Sequence, residues 1–318
     1  MTPEAIRAAA QRIYGHARRT PVLTSPFLDE IAGRRVFVKA EPLQVTGSFK
    51  FRGALSAVSA LPDGTGVIAY SSGNHAQGVA AAAALRGVTA VIVMPADAPA
   101  LKIANTRALG AEVLLYDRAG GESREDIGAA VAKERGLHLI RPYDDPDVIA
   151  GQGTVGLELA EQLPGDVSGD VLVCCGGGGL SSGIAVALAD TRPDLRVRPV
   201  EPVGFDDVAR SLDAGERLGN DRVSGSICDA IVTPIPGELT FPILKRLSGP
   251  GLSVTDEQAL SAMAQAWLRL KVGAEPGGAV ALAAALYHSD RIEGDAVTVI
   301  LSGGNCDPAM MTRALAGL

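Results

Sequence analysis

Through most of its length the chain alternates short apolar runs with alanine-rich stretches. Strand candidates fall at 35–39, 66–70, 90–94, 112–116, 137–141, 170–175, 196–200 and 296–301, with helical stretches such as 75–86, 124–135 and 180–190 between them. Most of the strand runs lack polar alternation, as expected of parallel strands covered on both faces. Repeated strand–helix units of this kind predict a doubly wound α/β architecture. Gly and Pro mark the joints, for instance at Leu163-Pro164-Gly165 and Ser248-Gly249-Pro250.

A length of 318 residues is enough for two domains, yet no low-complexity linker separates two halves. One domain inserted into the other is therefore expected. A net charge of -7 without a basic run argues against nucleic acid, whose phosphates are bound through clustered Lys and Arg. Apolar stretches such as 78–85 are too short to span a membrane, and the N-terminal segment has charges on one helical face rather than a signal peptide's unbroken apolar core. Four cysteines, two of them adjacent at Cys174 and Cys175 in an apolar strand, suit buried thiols rather than a disulfide framework. These features predict a cytoplasmic protein.

Four polar segments sit where strands end. In the first, 41–53, a glycine turn places Lys50 early in a helix beside Arg52, and like-charge repulsion there favours the neutral amine that imine chemistry needs. A solvated surface lysine is the alternative. In the second, Ser71, Ser72, Asn74 and His75 follow a strand and open a helix, where they either cap it or leave its N–H groups to hold a substrate carboxylate. In the third, Gly176, Gly177, Gly178 and Gly179 lie between a strand and a helix, suited to a phosphate group. The run misses the GxGxxG/A dinucleotide fingerprint, but Glu201 stands where that motif has its ribose-binding acid. A non-catalytic nucleotide-binding regulatory protein is thus the rival reading. The fourth, Ser302 to Asn305, is either another ligand-facing strand end or a helix cap ahead of Pro308.

In this order the segments TGSFKFRGA, SSGNHAQG, GGGG and SGGN resemble the serine/threonine dehydratase and serine racemase family, fold type II pyridoxal-phosphate (PLP) enzymes. The resemblance covers nearly the whole chain, including MPADAPALKIANTRALGAEV and VIAGQGTVGLEL. It implies two doubly wound open-sheet domains like those of the tryptophan synthase β chain: a large PLP-binding domain from 1–65 and 145–318, and a small inserted one from 66–144. It further implies that Lys50 binds PLP as a Schiff base and serves as general base, with Phe49 against the ring and Asn74 on its hydroxyl. Gly176 to Gly179 and the Leu180 amide would hold the phosphate, and Ser302 would face the ring nitrogen. A neutral hydroxyl there weakens the electron sink, which favours prompt loss of a β leaving group over transamination.

Ser72 matches the serine that serves the opposite face in racemase members, so racemisation stays open. Glu201 and Asp207, with the Phe205 carbonyl, resemble the family's divalent-cation site, suited to Mg²⁺ or Ca²⁺. Arg124 matches an arginine of the serine racemase and 3-hydroxyaspartate dehydratase branches, where it can contact a second carboxylate; otherwise it is a solvated helix residue. The stretch 236–241 looks instead like ordinary threonine dehydratases. Ala230 departs from the family glycine near the cofactor, which would reshape the pocket. With only a short segment after Ser302, the resemblance leads to the expectation that the C-terminal regulatory domain of long biosynthetic threonine dehydratases, and its amino-acid feedback, is absent. The expected activity is dehydration of L-threonine or L-serine to a 2-keto acid and ammonia by a homodimer, with 3-hydroxyaspartate dehydratase or serine racemase as the alternatives.

Overall fold

The computed structural model describes residues 1–71, 73–98, 100–117, 120–222 and 224–317. Its strands are, in chain order, β1 (Val22–Leu23), β2 (Arg35–Ala40), β3 (Val67–Tyr70), β4 (Ala90–Pro95), β5 (Glu112–Tyr116), β6 (His138–Leu139), β7 (Gly169–Cys174), β8 (Leu195–Pro202), β9 (Leu252–Val254) and β10 (Ala296–Leu301). The apolar runs read from the sequence all become strands. β1 and β9 escape that reading because two or three residues carry no period.

Two sheets result. The larger has the order β1-β2-β10-β7-β8-β9 and the smaller β5-β4-β3-β6. Every pairing is parallel except β1 with β2 at one edge. β4 and β10 are buried at every position, which explains why their sequences show no polar face. In each sheet the strand order reverses once, between β7 and β10 in the larger and between β3 and β6 in the smaller. Ligands of open α/β sheets bind at such reversals, outside the carboxyl ends of the strands. The segments after β3, β7 and β10, where three of the four sequence motifs lie, occupy these points.

The helix Lys50–Ala60 leads from the larger sheet to the smaller, and Pro146–Gln162 leads back. A buried ionic group fixes the start of the first helix. The Arg52 guanidinium donates to both Glu41 oxygens at 2.9 Å and to Glu158 Oε1 at 2.6 Å, while Lys39 donates to Glu158 and, at 2.7 Å, to the Thr20 carbonyl. Lys39, Glu41 and Arg52 are all buried, so their charges persist only through mutual pairing. Among the described residues no helix is long and apolar enough to cross a membrane.

Candidate active site

The strand ends surround a cavity of about 550 Å³ lined by Lys50, Asn74, His75, the four glycines and Ser302. Lys50 is the first residue of its helix, and its Nζ donates to the Pro142 carbonyl at 2.6 Å. Burial pushes its pKa down to about 8, partly opposed by the Glu275 carboxylate. The expected like-charge effect of Arg52 is not the cause. Arg52 is held by Glu41 and Glu158, and desolvation acts instead. The Phe49 ring centre lies 5.1 Å from the Lys50 amine, and the Phe49 N–H donates to the Ser302 carbonyl at 3.1 Å.

The glycine turn after β7 is shaped by two constraints. Gly178 has φ +91°, a left-handed conformation that L side chains rarely adopt, and it precedes the helix Gly179–Thr191 without any side-chain cap. A Cβ on Gly177 would lie 2.2 Å from the Tyr143 ring. The Gly177 carbonyl is tied back by the Thr240 hydroxyl at 2.6 Å. Buried Ser181 Oγ, in the first turn, has no partner among the described residues. The turn therefore offers uncapped helix N–H groups and an unpaired hydroxyl to an anion.

At the smaller sheet, Asn74 opens the helix Asn74–Arg86, which likewise has no side-chain cap. Among the described residues Ser71 Oγ accepts from the Gly73 N–H at 3.2 Å, and neither Ser71 nor Asn74 caps this helix with its side chain. Asn74 Nδ2 donates to Glu275, and Asn74 Oδ1 accepts from Asn305 Nδ2 at 2.7 Å. Asn305 thus braces Asn74, while Asp307 caps the last helix, Pro308–Ala316, correcting the cap reading of 302–305. His75 is buried, with Nε2 2.9 Å from the Ile140 carbonyl and Nδ1 unpartnered among the described residues. Burial and the Lys50 charge lower its pKa to about 3, which keeps the ring neutral. Ser72 lies outside the described residues.

Ser302 is buried at the end of β10, its N–H donating to the Gly278 carbonyl at 3.2 Å, and Leu180 is buried on the cavity wall. Arg124 also lines the cavity. Its guanidinium lies 5.4 Å from the Tyr70 ring centre and pairs with Glu125 at 2.8 Å. Ala230 is on the wall as well. Two residues were missed by motif reading. Glu275 is buried against Asn74, and desolvation pushes its pKa up to about 7. Tyr143 packs on the glycine turn. The only sequence trace of Glu275 is its place before Pro276, the start of the helix Pro276–Tyr287.

Glu201, Phe205 and Asp207 lie outside the cavity lining, and the two acids are close enough to repel each other; among the described residues no group of three or more His, Cys, Asp or Glu is placed to hold a metal ion. Glu201 accepts from the Val208 and Ala209 N–H groups at 3.0 and 2.8 Å. Asp207 Oδ1 accepts from Asn220 at 2.6 Å, and Oδ2 is buried without a partner among the described residues. Burial, with mutual repulsion, raises Glu201 well above the carboxylate range and burial raises Asp207 to about 6.

The sequence pattern of the family described as pyridoxal-phosphate dependent enzyme matches residues 13–303. The chain is 44% identical over 312 residues to L-threo-3-hydroxyaspartate ammonia-lyase of Pseudomonas sp, spanning 97% of each. It is similar to the crystal structure of a threonine deaminase from T.th., with 46% identity, TM-score 0.91, and 96% of this chain and 99% of that one covered. Maize serine racemase shares 38% identity at TM-score 0.91, over 99% of this chain and 97% of the other.

Proposed function

We propose that this chain, which belongs to the pyridoxal-phosphate dependent enzyme family, is an ammonia-lyase that converts a β-hydroxy α-amino acid to a 2-keto acid and ammonia. The observation that carries the reading is a weakly basic lysine amine sharing one cavity with an uncapped tetraglycine turn. Family membership sets aside the non-catalytic nucleotide-binding alternative.

The residues fit the cofactor. Lys50 would bind its aldehyde carbon. Gly176 to Gly179, the Leu180 amide and the unpaired Ser181 hydroxyl would hold its phosphate at the start of an uncapped helix. Phe49, Asn74 and Ser302 would flank its ring. When bound, PLP supplies an electron-withdrawing ring that acidifies the substrate α-C–H.

The chain's own groups supply the rest. The N–H groups opening the helix Asn74–Arg86 would take the substrate α-carboxylate, with Ser71 at the same edge and His75 as a neutral wall. Set free when the substrate amine takes its place, Lys50, with an amine far less basic than a free lysine, would remove the α-proton at Nζ. The β-hydroxyl would then leave as water, taking up the proton that Nζ has accepted. A second water is consumed on hydrolysis, so the net products are a keto acid and ammonia.

A substrate with a second carboxylate, L-threo-3-hydroxyaspartate, is favoured over L-threonine and L-serine by the arginines on the cavity wall, Arg124 among them; the likeness to a hydroxyaspartate ammonia-lyase and to a threonine deaminase fits either class. The racemase reading turns on Ser72. The test is a visible absorption band abolished by Lys50→Ala or borohydride, followed by keto-acid release across these three substrates. A colourless protein, or no keto acid from any of them, overturns the proposal.

Glu201 and Asp207, with the Phe205 carbonyl, are proposed to hold Mg²⁺ or Ca²⁺. Two buried acids raised out of the carboxylate range, one with an unpaired oxygen, are the support. Unchanged activity and Tm after chelation would count against it. The two sheets support reading 66–144 as a small domain inserted into 1–65 and 145–318. The free cysteines support a cytoplasmic setting. Exposed apolar side chains, Phe27 and Ile31 on one helix and Trp267 on another, support a homodimer, which sedimentation would test.

A further inference from the structure

We infer that Arg141 is the side chain that reads a second carboxylate on the substrate and so sets the preference for a dicarboxylic β-hydroxy amino acid. This deepens the functional reading above and rests on it.

Besides Lys50, the cations lining the cavity are Lys102, Arg124, Arg141 and Arg217. Three of them are engaged. Lys102 lies 3.8 Å from Asp229, Arg124 pairs with Glu125 at 2.8 Å while stacked by Tyr70, and Arg217 donates to the Pro236 carbonyl at 2.8 Å and to Glu238 at 3.3 Å. The Arg141 guanidinium has no partner among the described residues. The acids of its own segment are also taken: Asp144 accepts from the Glu238 and Leu239 N–H groups, and Asp145 from those of Asp147 and Val148. Arg141 is exposed at the cavity wall, and its planar guanidinium is thus left free for bidentate pairing, for which a carboxylate has the matching geometry.

Its place along the chain brings it to the chemistry. The next residue, Pro142, receives the Lys50 amine at 2.6 Å, and the one after that, Tyr143, packs on Gly177. Arg141 is therefore one peptide, about 3.8 Å between α-carbons, from the residue that touches the reacting amine. In a 3-hydroxyaspartate the second carboxylate is two bonds from the α-carbon that this amine deprotonates. The α-carboxylate has its own donors at the helix Asn74–Arg86, on the opposite side of the β3/β6 reversal. Separate donors for the two carboxylates are what a dicarboxylate-selective site requires.

The experiment compares the holoenzyme with Arg141→Gln, Arg141→Lys and Arg124→Gln. The ratio of kcat/KM for L-threo-3-hydroxyaspartate to that for L-threonine is expected to fall roughly 10- to 100-fold in Arg141→Gln, the scale of one charge-assisted pair. Arg141→Lys is expected to recover part of the loss, because it restores the charge without the fork. Calorimetric titration with succinate and with butyrate gives a second readout that needs no turnover. The Arg141→Gln substitution should weaken succinate by a similar factor and narrow its advantage over butyrate. A ratio in Arg141→Gln within about threefold of wild type, or an equal or larger change in Arg124→Gln, overturns the inference and leaves the lyase reading standing. If the wild-type protein turns over neither amino acid, the lyase reading falls. The titration then decides alone: Arg141-dependent preference for succinate upholds the inference, and equal binding of the two acids overturns it.

Discussion

Loading of the cofactor onto the apoprotein should follow the ionisation of Lys50, because only the neutral amine attacks an aldehyde. The Lys50 pKa is lowered from 10.5 to about 8. At pH 7.5 that leaves roughly one amine in four neutral, against about one in a thousand for an ordinary lysine, a difference of roughly two-hundredfold in reactive species. The assay is the growth of the visible absorbance band after mixing apoprotein with pyridoxal phosphate between pH 6.5 and 10. The rate should climb about tenfold per pH unit up to the pKa and flatten above it. Glu275 sharpens the test. Its carboxylate favours the protonated amine, so Glu275→Gln should move the plateau to lower pH. A rate that keeps rising to pH 10 would refute the argument that burial sets this amine's basicity. A plateau that moves upward in Glu275→Gln would refute the coupling.

Three further outcomes are expected. Gly177→Ala forces a Cβ against the Tyr143 ring, and should cost about 1–3 kcal/mol in urea unfolding together with weaker retention of the cofactor on dialysis. Unchanged retention would mean that the turn does not hold the phosphate. Arg52→Met leaves Glu41 and Glu158 without their shared guanidinium, and should destabilise the fold by about 3–5 kcal/mol; a loss below 1 kcal/mol would show that the network relaxes. His75 titrates at about 3 when folded and near 6.5 otherwise, so the unfolded chain takes up a proton that the folded one does not. Apoprotein stability from this residue is therefore lost as pH falls from about 6.5 towards 3, and His75→Gln should flatten that slope in pH-dependent unfolding.

What the chain declares locally, it declares well. Apolar runs without polar alternation are legible as covered parallel strands, because burial on both faces removes the need for any polar position. A lysine after a glycine turn and four consecutive glycines before a helix are legible because each answers a backbone requirement within a few residues. The causes and partnerships at the site are another matter. Lys50 owes its lowered basicity to burial beside Pro142, 92 residues away, and not to its neighbour Arg52, which other residues neutralise. Glu275 meets Asn74 across 201 residues of chain, and Asn305 meets it across 231. Tyr143 reaches the glycine turn only because β6 and β7 border the strand-order reversals of their respective sheets. Contacts of that range are settled by strand order, which gathers distant carboxyl ends at one place, and desolvation belongs to the gathered cavity and to no single segment. Residue types and local turns were thus written in the sequence; the acidity, bracing and free charge of the site arose only when the two sheets closed around it.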